Sequence, residues 1–395
     1  MNAPEKLPAD FSDLFGSGLA EHLQELGHDI LEGERQGCTL RDSAGKKYLD
    51  LTSSGGIYNL GRRDEVLAQS LREAMQQTDQ GNFPMISREK ALLAERLTQF
   101  VPGSLDCAVF SVTRGETIDF ACKLARGATR RTELIHLDGS YHGETGFALS
   151  LSDLPGKEQY GPLLPQVKRL PWGDLNTASS TVTSSTAAVF IEPIQAENGC
   201  RAIVPSYAQG LQAICREKGA LLIVDETQTG FGRTGHRFAF EALKIDPDVL
   251  ILGESLGGGF FPIAATLFRQ QLNDFLNAHP MIHLSTFGGS DVGCRVALKA
   301  LERYEKTRPW DNAANMGEKL LSICKAFSPQ GQGLLAALDL TSPGDAIAFC
   351  RSCADKGLLL LPGKIAQHTV ILRPPLTLNA NEIQQITDTL RMVHP

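Results

Sequence analysis

The stretch from Leu221 to Phe268 limits the fold of this chain more than any other. Leu221-Leu222-Ile223-Val224 is a continuous apolar run, too short for a helix, that ends directly in Asp225-Glu226. Such a run reads as a strand buried on both faces, with two acids at its carboxyl end. Gln228 to Gly235 follows, rich in glycine and without an apolar period, and reads as a constrained loop. A second strand, Asp248 to Gly253, leads through Glu254-Ser255-Leu256-Gly257-Gly258-Gly259-Phe260-Phe261-Pro262 to a third apolar run, Ile263 to Phe268. That link is shorter than the dozen or so residues a parallel crossover takes, so the third strand is expected to run antiparallel to the second. In open α/β sheets, ligands collect at the carboxyl ends of the strands, which draws Asp225, Gln228 and Glu254 towards one crevice.

Upstream, short apolar runs alternate with amphipathic stretches, as a mostly parallel sheet requires. Cys107 to Val112 reads as a strand, followed by Thr113-Arg114-Gly115-Glu116-Thr117 and a helix to about Arg126. A strand, a turn with glycine and a helix start form a ready anion site, because unpaired N–H groups and the helix dipole point there. Arg114 has two open uses at such a turn: its planar fork can clamp the anion, or its bulk can fill the space. Another strand ends at Leu137, ahead of Tyr141-His142-Gly143-Glu144. Residues 153 to 186 are rich in Pro, Ser, Thr and Gly and read as a surface loop. Ala187 to Ile191 then runs into Glu192-Pro193, and Ser206 to Lys218 reads as a capped amphipathic helix.

The flanks are simpler. Residues 1 to about 35 are polar and helix-prone, and Gly45 to Leu51 reads as a turn feeding a strand. Glu89 to Phe100 has helical spacing and stops at Pro102-Gly103. Asp291 to about Glu305 reads as a helix. Beyond residue 310, Gly333 to Leu338 and Gly357 to Pro362 read as strands of a smaller α/β unit.

These blocks, in this order, resemble the class III pyridoxal-phosphate (PLP) aminotransferases. The match is carried by Asp225 to Gly235, Pro247-Asp248 and the Gly253-x-Ser255-Leu256-Gly257-Gly258-Gly259-x-x-Pro262 run, with support from Tyr141-His142-Gly143, Glu192-Pro193, Thr286-Phe287-Gly288-Gly289 and Arg373-Pro374. The resemblance implies a PLP-dependent transferase fold of type I: a mixed, mostly parallel sheet in a large domain (61–305) and a small α/β domain (306–395) that the N-terminal segment (1–60) joins. It implies that Asp225 pairs with the cofactor's ring nitrogen, Gln228 approaches its ring hydroxyl, and Tyr141, beside His142, stacks on the ring. Glu192 would lie alongside. Arg114, Gly115 and Glu116 stand where the family has its phosphate cup. Thr286 would reach the phosphate of the other subunit, which implies a homodimer with shared sites, and Arg373 would hold a substrate carboxylate.

Three places depart from the pattern. Where the family has the lysine that forms the Schiff base, this chain has Glu254, and a carboxylate cannot form an imine. It also repels an anionic cofactor, by about 4 kcal/mol for unit charges ~4 Å apart at an effective dielectric near 20. The cup reads Arg114-Gly115 instead of Gly-Ser, and Glu144 stands where ornithine and acetylornithine branches often place an arginine. Two functions stay open. In one, the protein is an enzyme that holds PLP or pyridoxamine phosphate non-covalently and acts on a small amine, amino acid or keto acid, with Glu254 as general base. In the other the cofactor is lost altogether, leaving a cofactor-free acid–base catalyst or a ligand-binding pseudoenzyme that uses Glu254, Glu144, Tyr141 and His142. Lys364 is a candidate substitute amine; its plainer reading is an exposed loop lysine.

Composition narrows the setting. The formal charge of -7 over 395 residues gives no reason to expect nucleic acid or an acidic membrane as partner. No apolar run is long enough to span a bilayer. Nine cysteines, an odd number scattered along the chain, do not make a disulfide framework, and the expected location is the cytoplasm. Cys350 and Cys353 share a face of a helix predicted over 345–356, which favours buried core thiols over a metal site.

Overall fold

A computed structural model describes residues 16–81 and 85–393. Seven strands form the central sheet: β1 (Cys107–Ser111), β2 (Glu133–Leu137), β3 (Val167–Leu170), β4 (Thr186–Ile191), β5 (Leu221–Asp225), β6 (Val249–Leu252) and β7 (Ala264–Phe268). Across the sheet the order is β1-β7-β6-β5-β4-β2-β3. β7 alone is antiparallel to its neighbours, pairing Leu252 with Ala265 on one side and Ser111 with Ala264 on the other. This is the arrangement the short 254–262 link requires. The other six strands point their carboxyl ends the same way, so the loops after them meet at one edge.

β2, β4, β6 and β7 are buried along their whole length, so β6 reads as an unbroken apolar run and β4 and β7 nearly so, while β2 also buries Glu133 and His136. One face packs on Leu97, Phe100, Phe231, Phe238 and Tyr304; the other is covered by helix α1 (Arg114–Thr129) through Ile118, Ala121 and Leu124. Each large side chain so buried contributes about 1.5–3 kcal/mol.

The first and last parts of the chain pack together. The strand Lys47–Asp50 pairs in parallel with Leu358–Leu359, while Leu361–Pro362 pairs with Thr369–Leu372 in a different sheet. The run 357–362, read as one strand, thus changes sheets at Leu360. The helix Pro343–Asp355 covers both sheets, with Cys350 and Cys353 as buried free thiols in a core with Leu49, Leu51, Leu338 and Leu372.

Other boundaries moved for identifiable reasons. Segment 153–186 holds β3 and a helix, Leu175–Thr181, in place of a plain loop. β3 is a four-residue edge strand whose Lys168 and Arg169 face solvent, so it has no apolar signature, and the helix start is marked only by Asp174, whose side chain accepts from Thr177 N at 2.9 Å. The helix at 206–218 begins at Pro205 and has no side-chain cap; proline at its first position presets the backbone instead. Near the N-terminus a helix spans Ser17–Glu25 and a strand Glu32–Gln36, while residues 1–15 of the helix-prone stretch lie outside the described residues.

Arg233 joins the Gly-rich loop after β5 to the C-terminal part of the chain. Fully buried, it donates to Leu334 O (2.9 Å), Pro374 O and Asn59 Oδ1 (2.7 Å). Burial, with Arg373 nearby, lowers its pKa to about 9, so the acceptors around it must hold a desolvated cation. Replacing Arg233 with Met leaves those three acceptors buried and unpaired. The expected cost is on the order of 3 kcal/mol, read as a lower urea midpoint. A midpoint equal to that of the wild type would contradict this role.

Candidate active site

The site is assembled from the carboxyl ends of β1, β2, β4, β5 and β6. Asp225 is the last residue of β5, Glu192 follows β4, Tyr141 and His142 follow β2, Arg114 opens the helix after β1, and Glu254 follows β6. Nothing in sequence separation suggests these groups meet. The sheet order makes them meet, because β4, β5 and β6 are neighbours and α1 packs across them.

At the centre lies the Asp225 carboxylate, 2% exposed. Its Oδ1 accepts from Thr227 N (3.0 Å) and from the Thr227 hydroxyl. Its Oδ2 is shared by His142 Nδ1 at 2.9 Å and Arg114 Nη2 at 2.8 Å. The same Nη2 donates to Tyr141 O and lies 3.7 Å from Glu192 Oε2, while Arg114 Nε is buried without a partner. The guanidinium sits 5.0 Å from the centroid of the Tyr141 ring, within cation–π reach. Glu192 in turn accepts from Tyr141 N at 2.8 Å.

Arg114 is anchored at its backbone as well. Its N–H, the first of helix α1, donates to Glu254 Oε1 at 2.8 Å. Thr113, the residue before the helix, makes no side-chain cap, so a carboxylate from far along the chain caps α1 instead. Glu116 turns back to accept from Val112 N (2.7 Å) and faces its own strand. Gly115 is packed against Thr145 so tightly that a Cβ there would lie 2.3 Å from the threonine hydroxyl oxygen.

Two further ion pairs continue the site, Glu144–Lys364 half exposed at its mouth and Arg373–Glu197 buried. Glu144 binds Lys364 and accepts from Tyr141 OH at 2.7 Å; Lys364 Nζ is 3.1 Å from that hydroxyl. Arg373 Nη1 donates to Glu197 Oε1 (2.7 Å) and Gln228 Oε1 (3.0 Å), and Gln228 Nε2 to Gly55 O (2.9 Å). Thr286 lies exposed on the segment ahead of the helix Asp291–Thr307, where Gly288 and Gly289 press against Phe110. Of the residues singled out from sequence, Arg114, Tyr141, His142, Glu192, Asp225 and Glu254 form one bonded cluster. Glu144 joins it through Tyr141, while Gln228 pairs with Arg373. Glu197 and Thr227 were not foreseen: the Asp225-x-Thr227 spacing is a usable signal, but nothing in the sequence marks Glu197 as the partner of Arg373.

Charge states follow from these pairings. Burial opposes ionisation of Asp225, but Arg114 and His142 outweigh it and hold the carboxyl well below its usual range. Burial pushes Glu192 up to about 8, although Arg114 pulls the other way. Burial also lowers His142, so the neutral imidazole presents its Nδ1–H to Asp225. Burial tends to lower Lys364, yet Glu144 and Tyr141 win and raise it. A lysine held protonated is a poor nucleophile, which argues against Lys364 as a substitute amine.

This fold is that of one family. The family model for class III aminotransferases matches residues 25–393. An uncharacterized aminotransferase of Archaeoglobus fulgidus is 36% identical over 379 residues, covering 94% of this chain and 89% of its own. An ornithine aminotransferase of Oceanobacillus iheyensis is 30% identical, covering 91% and 94%. Among solved structures, an ornithine aminotransferase of Toxoplasma gondii superposes with a TM-score of 0.89 at 25% identity, over 98% of this chain and 95% of that one. The chain belongs to the class III aminotransferase family.

The cofactor expected in this family does not fit the site as it stands. The Asp225 oxygen awaiting a ring nitrogen is already paired with Arg114, which also lies against Tyr141 where a ring would stack. The amino end of α1 already holds the Glu254 carboxylate, and position 254 offers no amine. The Arg114 fork points away from the helix end, towards Asp225 and Glu192, whose buried acidic groups attract it.

Glu192 gives a test of this electrostatic picture. From about pH 4.5 to about pH 8 its folded carboxyl keeps a proton that the unfolded chain has lost. Its contribution to stability therefore falls as pH rises through that window. With Glu192→Gln the melting temperature of the variant minus that of the wild type should become more positive by a few degrees between about pH 5 and about pH 8. Parallel curves would show that Glu192 ionises normally.

Proposed function

We propose that this protein binds a small amino acid, amine or related keto acid in the outer cleft, without a covalently held cofactor, as a ligand-binding or cofactor-free acid–base member of the class III aminotransferase family. The observation that carries this reading is the pair of ion pairs lining one cleft of about 490 Å³: Lys364 with Glu144, and Arg373 with Glu197. Its volume is in the range of small-molecule sites. Two cations and two anions match a zwitterion, because a ligand carboxylate can take the place of a glutamate on Arg373 and a ligand ammonium can take that of Lys364 on Glu144. The choice of ligand class, though not the cofactor-free part of the reading, draws on the names of two relatives, the ornithine aminotransferase above and a putrescine aminotransferase of Pectobacterium atrosepticum, 32% identical over 368 residues.

A second reading keeps PLP or pyridoxamine phosphate, bound non-covalently, with Glu254 as general base. The convergence of Asp225, His142, Tyr141 and Glu192 favours it, and it requires Arg114 to leave Asp225. Titrating unmodified protein with either cofactor distinguishes the two: a saturable absorbance change selects the second reading, and none is expected.

Calorimetric titration without cofactor, using ornithine, glutamate, simple diamines and keto acids, should find at least one ligand that saturates. Arg373→Gln and Glu144→Gln should each weaken a zwitterion by about tenfold or more. Binding indifferent to both substitutions would remove the cleft from the account.

The same family likeness supports a homodimer. Around Thr286, Met281, Ile282, Leu284 and Phe287 are all exposed, an apolar run that water disfavours and a second copy would cover. Phe287→Asp should therefore yield a smaller species in sedimentation velocity; an unchanged mass would point elsewhere. No helix among the described residues is long and apolar enough to cross a membrane. The nine free cysteines support a reducing setting such as the cytoplasm.

A further inference from the structure

We propose that Arg114 and Glu254 are a matched pair that occupies the family's cofactor site from within the chain. The Arg114 guanidinium stands in for the ring cation on Asp225, and the Glu254 carboxylate stands in for the phosphate at the amino end of α1. The inference rests on the reading that the outer cleft works without a bound cofactor, and it explains why such a protein stays folded with its inner chamber unfilled by ligand.

Three features point the same way. The polarity is right at both ends: a cation meets the Asp225 carboxylate beside Glu192, and an anion meets the first N–H of the helix. The helix lacks a cap of its own, since Thr113 makes none, so an anion is required from elsewhere and Glu254 supplies it. A single residue also ties the two ends together, because Arg114 gives its backbone N–H to Glu254 and its side chain to Asp225.

Coupling follows from that last feature. Glu254→Lys alone places an ammonium at the positive end of α1, beside a chamber that Arg114 still fills. Arg114→Ser alone removes the counter-ion of Asp225 but leaves a carboxylate where a phosphate would have to sit. Only the two changes together restore a free carboxylate on one side, an open helix end on the other, and an amine that can condense with an aldehyde, with loss of water, to a C=N bond. Borohydride reduces that bond to a stable C–N link.

The test uses the full chain as wild type, Arg114→Ser, Glu254→Lys and the double variant, each titrated with PLP, treated with borohydride and analysed by intact mass and peptide mapping. The expected result is a strongly non-additive gain. The double variant should form a reducible adduct at position 254, bind PLP at least about 100-fold more tightly than the wild type and melt at a higher temperature when PLP is added. Either single change should give little or no adduct. If Glu254→Lys alone forms the adduct as readily as the double variant, Arg114 is not a block and the proposal fails. It fails equally if a double variant that is folded by circular dichroism forms none. A measurement on the wild type is independent of how the variants fold: millimolar PLP should leave its melting temperature unchanged, and a saturable rise overturns the proposal. Ligand binding in the outer cleft of the wild type is a separate readout, so its loss would count against the proposed function and not against the paired residues.

Discussion

The contact between Arg114 and Asp225 governs the rest of the site. Two carboxylates, Asp225 and Glu192, are buried side by side at the ends of adjacent strands, and two such groups cannot both ionise without a counter-ion. Arg114 provides it through one nitrogen, which leaves Asp225 charged and Glu192 holding a proton near neutrality. Buried pairs of this kind add little to stability, but removing one partner leaves the other's charge stranded. What the contact does is specify: it fixes where the side chain of the first residue of α1 must go.

Everything nearby adjusts to that choice. With its side chain turned inwards, Arg114 offers its backbone N–H outwards, and Glu254 takes it. Tyr141, which keeps its ring in the chamber wall, receives a guanidinium on its face and gives its hydroxyl to Glu144, which in turn holds Lys364 at the mouth. The charges of the inner chamber are thus paired within the chain, with Arg114 Nε and His142 Nε2 left buried without a partner, and the outer cleft is lined by two further ion pairs. The fold is that of an aminotransferase, and a fold alone does not fix chemistry; the residues at strand ends do.

Much of this was legible in the sequence. The buried strands announce themselves as apolar runs, and the length of the 254–262 link alone dictates that β7 runs backwards. Glu254 in a lysine's place is visible as a single letter. What the sequence could not give is direction: whether the long side chain of Arg114 points to the helix end or to Asp225 depends on a partner 111 positions away. The same holds for Arg373, whose partner Glu197 lies 176 positions distant, and for Lys364, which reads as a loop lysine until packing sets it against Glu144. β3 escaped notice because an edge strand of four residues with two solvated cations has no apolar period to detect.

One experiment bears on the central claim most directly: a crystal structure of the unaltered protein grown in excess PLP, inspected at Asp225 Oδ2. The account predicts guanidinium density from Arg114 bonded to that oxygen, with Glu254 on the first N–H of α1. A flat pyridine ring beside Asp225, with Arg114 swung away, would contradict it.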